Sequence, residues 1–185
     1  MSRSFLIFGV ALLALVAGAL FFAAQAPVKG SQIAFALPDL DGVERNSGEW
    51  DGKHRILNFW ATWCAPCRKE IPLLKAFQDT HGDAGIQVIG IAVDDLEPAL
   101  EFAAAAEFNY PVLIGQEDAM AVAEENGIDF IGMPITMFVG REGELLGKYY
   151  GELHQEQLDE VATVLAELDS GEIGILAARL AINDL

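Results

Sequence analysis

The sequence predicts an α/β fold, a mixed sheet flanked by helices on both faces, preceded by one N-terminal transmembrane helix. Three observations carry this. Short apolar runs of strand length alternate with longer segments of helical period, the last two runs flank a tight glycine turn, and the first 26 residues hold a single charged side chain, Arg3. Alternation of strand and helix implies parallel neighbours, and the closing hairpin adds antiparallel ones. Strands that are apolar throughout must be covered on both sides.

Taken in order, Phe5 to Ala24 is twenty residues without a charge. At about 1.5 Å rise per residue this spans roughly 30 Å, a bilayer's hydrocarbon core. The competing reading is a cleaved secretory signal, because Ala24-Gln25-Ala26 has the small-x-small form of a cleavage site. The run is too long for a signal core, and Pro27 would sit just after the cut, so residues 1–26 are read as an uncleaved anchor. Either reading exports the rest of the chain, since the α-amino group and Arg3 stay on the cytoplasmic side. Residues 27–32 form a linker, 33–170 one domain, and 171–185 an extension to which the pattern assigns no element.

Within the domain, Arg55 to Trp60 reads as a buried strand, and Ile71, Leu74 and Phe77 give the next segment a helical period. After Gly82 and Gly85, Ile86 to Val93 is a second buried strand, Asp94 and Asp95 a helix cap, and Leu96 to Phe108 a helix. A short strand is expected at Pro111 to Ile114 and a helix from Glu117 to Asn126, ended by Gly127. Ile135 to Val139 and Leu145 to Tyr150 flank Arg141-Glu142-Gly143 as a hairpin, and His154 to Leu168 is the last clear helix.

With 28 acidic and 11 basic residues the net charge is −17. That field repels phosphates and anionic headgroups, which excludes a non-specific binder of nucleic acid or of a membrane surface. Hydrophobic residues at 52% against 21% charged are enough to fill a core.

The chemistry concentrates at Trp63-Cys64-Ala65-Pro66-Cys67, which holds the only two cysteines of the chain. A Cys-x-x-Cys pair at a helix start puts both sulfurs on one face. Free amide N–H groups and the positive end of the helix dipole there stabilise a thiolate at Cys64. Cys64 is therefore the attacking sulfur and Cys67, one turn in, the resolving one. Pro66 is tolerated in the first turn, where its missing N–H had no partner. A zinc site would need four ligands, and His54, His81 and His154 are scattered. A structural bridge closing so small a loop would stabilise little.

The segment Leu57 to Pro72, Leu-Asn-Phe-Trp-Ala-Thr-Trp-Cys-Ala-Pro-Cys-Arg-Lys-Glu-Ile-Pro, resembles the active-site segment of the membrane-anchored TlpA/ResA-type thiol-disulfide oxidoreductases, which have the thioredoxin fold. The resemblance spans about residues 33–170. Gly132-Met133-Pro134-Ile135-Thr136 is similar to the family's second hallmark and implies a cis-Pro134 loop lying against the cysteines. It also implies that Trp63, Ala65, Pro66 and Met133 form the substrate-docking rim, although core packing fits Trp63 equally well. Where cytoplasmic thioredoxins carry a buried Asp six residues before the first Cys, this chain has Asn58, which cannot exchange a proton, so acid-base help must come from elsewhere. A carboxyl at the position of Glu70 occurs in the ResA-like branch. Two readings of Glu70 stand: a proton carrier for exchange, or a solvated helix carboxylate paired with Arg68 or Lys69. Pro72 is expected to kink the helix. Ile135 and Thr136 stand where cytochrome-maturation relatives of the CcmG type usually have Glu.

The resemblance implies a periplasmic or extracellular reductant, tethered to the cytoplasmic membrane and requiring neither metal nor organic cofactor. Its implied partners are an integral-membrane thiol donor and client proteins with disulfides, apocytochrome c or copper-site proteins. Two alternatives are a disulfide-forming oxidant and a copper-binding module using Cys64, Cys67 and Met133. Of the other polar residues, Asp94 and Asp95 suit a helix cap, His154 an exposed helix start, and Trp60 and Phe59 the core.

Overall fold

The computed structural model describes residues 32–185. The anchor reading of 1–26, and the linker up to Ser31, lie outside the described residues. Among the described residues no helix is long and apolar enough to cross a membrane.

Two short strands not expected from the pattern come first: β1 (Ala36–Pro38) and β2 (Glu44–Asn46), an antiparallel ribbon, followed by a 3-10 turn at Ser47–Trp50. Three-residue strands with mostly exposed side chains carry no apolar alternation to read. Next come β3 (His54–Trp60), helix α1 (Ala65–His81), β4 (Ile86–Val93), α2 (Leu96–Ala106) and β5 (Val112–Gly115). They are followed by α3 (Glu117–Glu124), β6 (Ile135–Val139), β7 (Leu145–Tyr150), α4 (Gln155–Ser170) and α5 (Ile175–Asn183). Five strands form one sheet in the order β5-β4-β3-β6-β7. β3, β4 and β5 are parallel, and β6 and β7 are antiparallel additions. This is the expected mixed sheet.

β3 lies at the centre, and all seven of its residues are buried. Period-two alternation divides them between two cores. Ile56 and Trp60 pack with Leu74 and Phe77 of α1, Ala99 of α2, Leu158 and Val161 of α4 and Ile182 of α5, whereas Leu57 and Phe59 pack with Ala119 and Val122 of α3 and with Ile33 and Leu37. Helices therefore cover both faces. On α1 the buried positions are Cys67, Glu70, Ile71, Leu74 and Phe77, one stripe at helical spacing. Pro72 stands inside α1, and the helix continues through it to His81.

The chain ending at 171–185, left without an element by its pattern, is helix α5, with Ala178 and Ile182 fully buried. Arg179 and Asn183 donate to the carbonyls of Leu145 and Leu146 on β7. Gly147 permits this approach, since a Cβ there would lie 2.6 Å from Ile182 Cγ2. Elsewhere boundaries move by a residue or two. α3 stops at Glu124 because the Asn126 side chain donates back to the Val122 carbonyl and Gly127 turns at φ +74°.

Candidate active site

Cys64 is the N-cap of α1, with extended backbone, and its sulfur accepts the N–H of Cys67 at 3.3 Å. The sequence folds this way because β3 ends at Trp60, a turn returns the Cys64 N–H to the Ala61 carbonyl, and Pro66 suits the first helical turn. The two cysteines are joined as a disulfide, with Cα atoms 5.3 Å apart. Cys67 is fully buried and Cys64 is 5% exposed, so Cys64 offers the accessible sulfur. Trp63 beside it is 69% exposed and Ile131 is 81% exposed. The core-packing reading of Trp63 therefore fails, whereas Trp60 and Phe59 are core. Ala65 is exposed and Pro66 half-buried on the same rim.

The Met133–Pro134 bond is cis, and Pro134 is buried at the entrance to β6. Met133 packs on the same hydrophobic cluster that contains both cysteines.

Glu70 is 1% exposed. One carboxylate oxygen accepts Asn58 Nδ2–H at 2.7 Å and the other accepts the Leu153 N–H at 2.7 Å. The solvated reading is thereby corrected: Lys69 reaches Glu152 at 3.9 Å instead, and Glu70 has no cation on it among the described residues. Burial raises its carboxyl from 4.5 to about 7, against the lowering effect of the Leu153 and Asn58 donors. Glu70 stands at i+3 from Cys67, one helical turn away on the same stripe. It is thus a buried group able to hold or release a proton near neutrality, one helical turn from Cys67.

Asp94 does not cap α2. Its carboxylate instead accepts the N–H and the Oγ–H of Thr62 at 2.7 and 2.6 Å, tying the turn before Cys64 to the end of β4. Asp95 occupies the N-cap position of α2 but makes no side-chain cap bond. The parallel pairing of Trp60 with Ala92 sets this contact up, since two residues further on the same register brings Thr62 to Asp94. Thr136, met only as the absence of a Glu, pairs with Asn58 across β3 and β6 and accepts its amide at 3.0 Å.

Among the described residues no three His, Cys, Asp or Glu side chains gather as a metal site. His54 lies on Asp169 at the other end of β3, His81 against Phe77, and His154 is exposed at the start of α4.

The profile of the Redoxin family matches residues 25–166. The thiol-disulfide oxidoreductase ResA of Bacillus cereus is 26% identical over 170 residues, covering 86% of this chain and 96% of that protein. The ResA of Geobacillus kaustophilus is 28% identical over 68% of this chain and 70% of its own. A thiol:disulfide interchange protein of the thioredoxin family from Chlorobium tepidum, solved as a crystal structure, superposes with a TM-score of 0.66 at 27% identity, covering 74% of this chain and 95% of that one.

Proposed function

This chain belongs to the Redoxin family and is a thiol-disulfide oxidoreductase of the TlpA/ResA type, and from that premise we propose that it reduces disulfides in client proteins outside the cytoplasmic membrane, held there by its N-terminal segment. The observation that carries the reading is the position of Cys64: an N-cap whose sulfur already accepts an amide N–H, at the end of the helix that favours negative charge.

In the reduced enzyme the Cys64 thiolate attacks one sulfur of the client disulfide. The client S–S bond breaks, its second sulfur leaves as a thiolate and takes a proton, and an enzyme–client disulfide forms. Cys67 then loses its proton, for which the ionised Glu70 carboxylate is the acceptor one turn away, and attacks Cys64. The intermolecular bond breaks, the client departs with two thiols, and the Cys64–Cys67 disulfide remains, two electrons having passed to the client. Trp63, Ala65, Pro66 and Met133 form the surface on which the client strand lies, and the cis bond at buried Pro134 sets the course of the loop that carries Met133. An integral-membrane thiol carrier returns the pair to its dithiol form, and clients in cytochrome c maturation or copper-site assembly suit a reductant so placed.

Two measurements test this. Cys67→Ser should trap an enzyme–client disulfide through Cys64 and Cys64→Ser should trap little; equal trapping on non-reducing gels overturns the order of attack. Titration of the pair against glutathione should give a potential nearer about −270 mV than the strongly oxidising end near −120 mV, and a value at the oxidising end reverses the direction.

A further inference from the structure

Asn58 occupies the point where the proton-carrying group, the central strand and the strand following Pro134 meet. It is fully buried. Its Nδ2 donates to Glu70 Oε1 at 2.7 Å and to Thr136 Oγ1 at 3.0 Å, while its Oδ1 accepts no hydrogen bond among the described residues. A buried amide that spends both donors and leaves its acceptor unused is arranged for what its donors hold, because an unsatisfied buried acceptor is costly. What they hold is a carboxylate oxygen, with Thr136 fixing which way the amide points.

We propose that Asn58, held by Thr136, is a positioning residue for thiol-disulfide exchange, fixing the Glu70 carboxyl in the orientation from which it exchanges a proton with Cys67. The inference rests on Glu70 being the proton carrier. Asn58 itself touches neither sulfur's proton nor the client, and acts through Glu70. An amide suits this place because it donates to an ionised carboxylate without adding charge, whereas an acid there would put a second carboxyl against Glu70 and couple the two titrations.

The groups that bear on Glu70 come from every element around it. Cys64 and Cys67 lie on its own helix, Glu152 precedes α4 with Lys69 upon it, and the buried Tyr110 precedes β5. None is a cation in contact with the Glu70 carboxylate. The two N–H donors, from Asn58 and Leu153, are thus what favours its ionised form against burial. Removing the Asn58 donor leaves the Leu153 N–H alone and moves the ionisation of Glu70 upward in pH.

The test is the pH profile of the Cys64 alkylation rate and of exchange with a model peptide disulfide, in the full reduced protein, together with the carbon-13 carboxyl shift of Glu70. Asn58→Leu should move the Glu70 midpoint upward by about one pH unit, the size expected for one hydrogen bond to a charged group. Thr136→Val should move it in the same direction by less, and it serves alone if Asn58→Leu does not fold. Asn58→Leu in a Glu70→Gln background should leave the profile where Glu70→Gln put it. A mere packing role would lower stability and move none of these midpoints. If Glu70→Gln shifts the profile and neither Asn58→Leu nor Thr136→Val does, this inference falls and the Glu70 reading stands. If Glu70→Gln itself leaves the profile unchanged, both fall.

Discussion

The central strand sends two polar side chains into the same helix layer four residues apart, and each meets a carboxylate there. Near the cysteines, Asn58 meets Glu70; about 13 Å away along the strand, His54 meets Asp169 at the end of α4 at 2.9 Å. Asp169 is also gripped by Arg141 from the β6–β7 turn, whose Nε donates at 2.7 Å, and that guanidinium bond holds its carboxyl down to about 2. Glu70 has amide donors only, and burial carries it up to about 7. One sheet face thus holds two acids whose ionisation lies on opposite sides of the ordinary range. The difference comes from whether a cation or a neutral amide stands opposite, and from how completely water is shut out. On the function proposed above, the cation-paired end holds elements together and the amide-paired end moves a proton.

The largest effect that would break this comparison lies in stability against pH. Glu70 binds its proton more tightly folded than unfolded. Its contribution is therefore complete below 4.5 and is lost as pH rises through about 7. The separation amounts to about 3 kcal/mol at about 1.4 kcal/mol per pH unit. His54 runs the other way. Burial lowers its pKa, so its contribution is complete above about 6.5 and is lost as pH falls through the lowered folded value. Urea midpoints of the oxidised protein between pH 4 and 8 should show Glu70→Gln removing the loss on the alkaline side while keeping the acid side. A parallel displacement of the whole curve would show that Glu70 does not titrate between those limits.

Activity sharpens the same contrast. Glu70→Gln should slow exchange with a client disulfide near pH 7 by about 10²-fold, the low end of what a positioned acid-base group contributes. Asp169→Asn should leave the rate of the folded enzyme unchanged, since nothing at that end touches the cysteines. Stopped-flow reduction of a model disulfide distinguishes them, and equal slowing by both variants would erase the functional difference between the two ends.

Asp169→Asn should instead cost stability, by about 1–2 kcal/mol. It weakens a charged pair that is one-third exposed and leaves the buried His54 ring a poorer partner. It should also remove the part of acid unfolding that begins below about 3.8 and is complete near 2.

These two sites were unequally legible in the sequence. Cys64, Cys67 and the helix they open follow from spacing and from the local chemistry of a helix start, and the segment before Pro134 follows from resemblance. Helical spacing put Glu70 one turn beyond Cys67 but left open whether its carboxyl is solvated or buried. Its burial, however, depends on the chain near Leu153 crossing over it, 83 residues away, and no local pattern encodes that crossing. The same holds for His54 and Asp169, 115 residues apart. The sheet strands were legible as short, mostly apolar runs, the last two with a turn between them, whereas β1 and β2 are too short and exposed to leave a pattern. α5 was missed because its buried stripe is two small contacts, Ala178 and Ile182, among other apolar residues that stay outside, Leu176 and Leu180 among them.

Arg141→Lys is the smallest and most selective change, because it keeps the positive charge opposite Asp169 and removes only the fork. Arg141 uses that fork fully: two nitrogens on Asp169, and hydrogen bonds to the carbonyls of Gly52 and Ala84, so one side chain joins the β6–β7 turn to the loops on either side of α1 and β3. A lysine ammonium can face the carboxylate but cannot reach the same set of acceptors in one plane. The pair is partly solvated, so the expected loss is below about 1 kcal/mol, read as a small drop in urea midpoint at pH 7. The Asp169 carboxyl should titrate higher than in the parent, toward but not reaching 3.8, because the hydrogen bond from Arg141 is the leading cause of its lowered value and the charge a lesser one. An Asp169 titration unchanged in Arg141→Lys would mean that charge alone sets the acid at this end, and the contrast with Glu70 would then rest on the missing cation rather than on hydrogen-bond geometry.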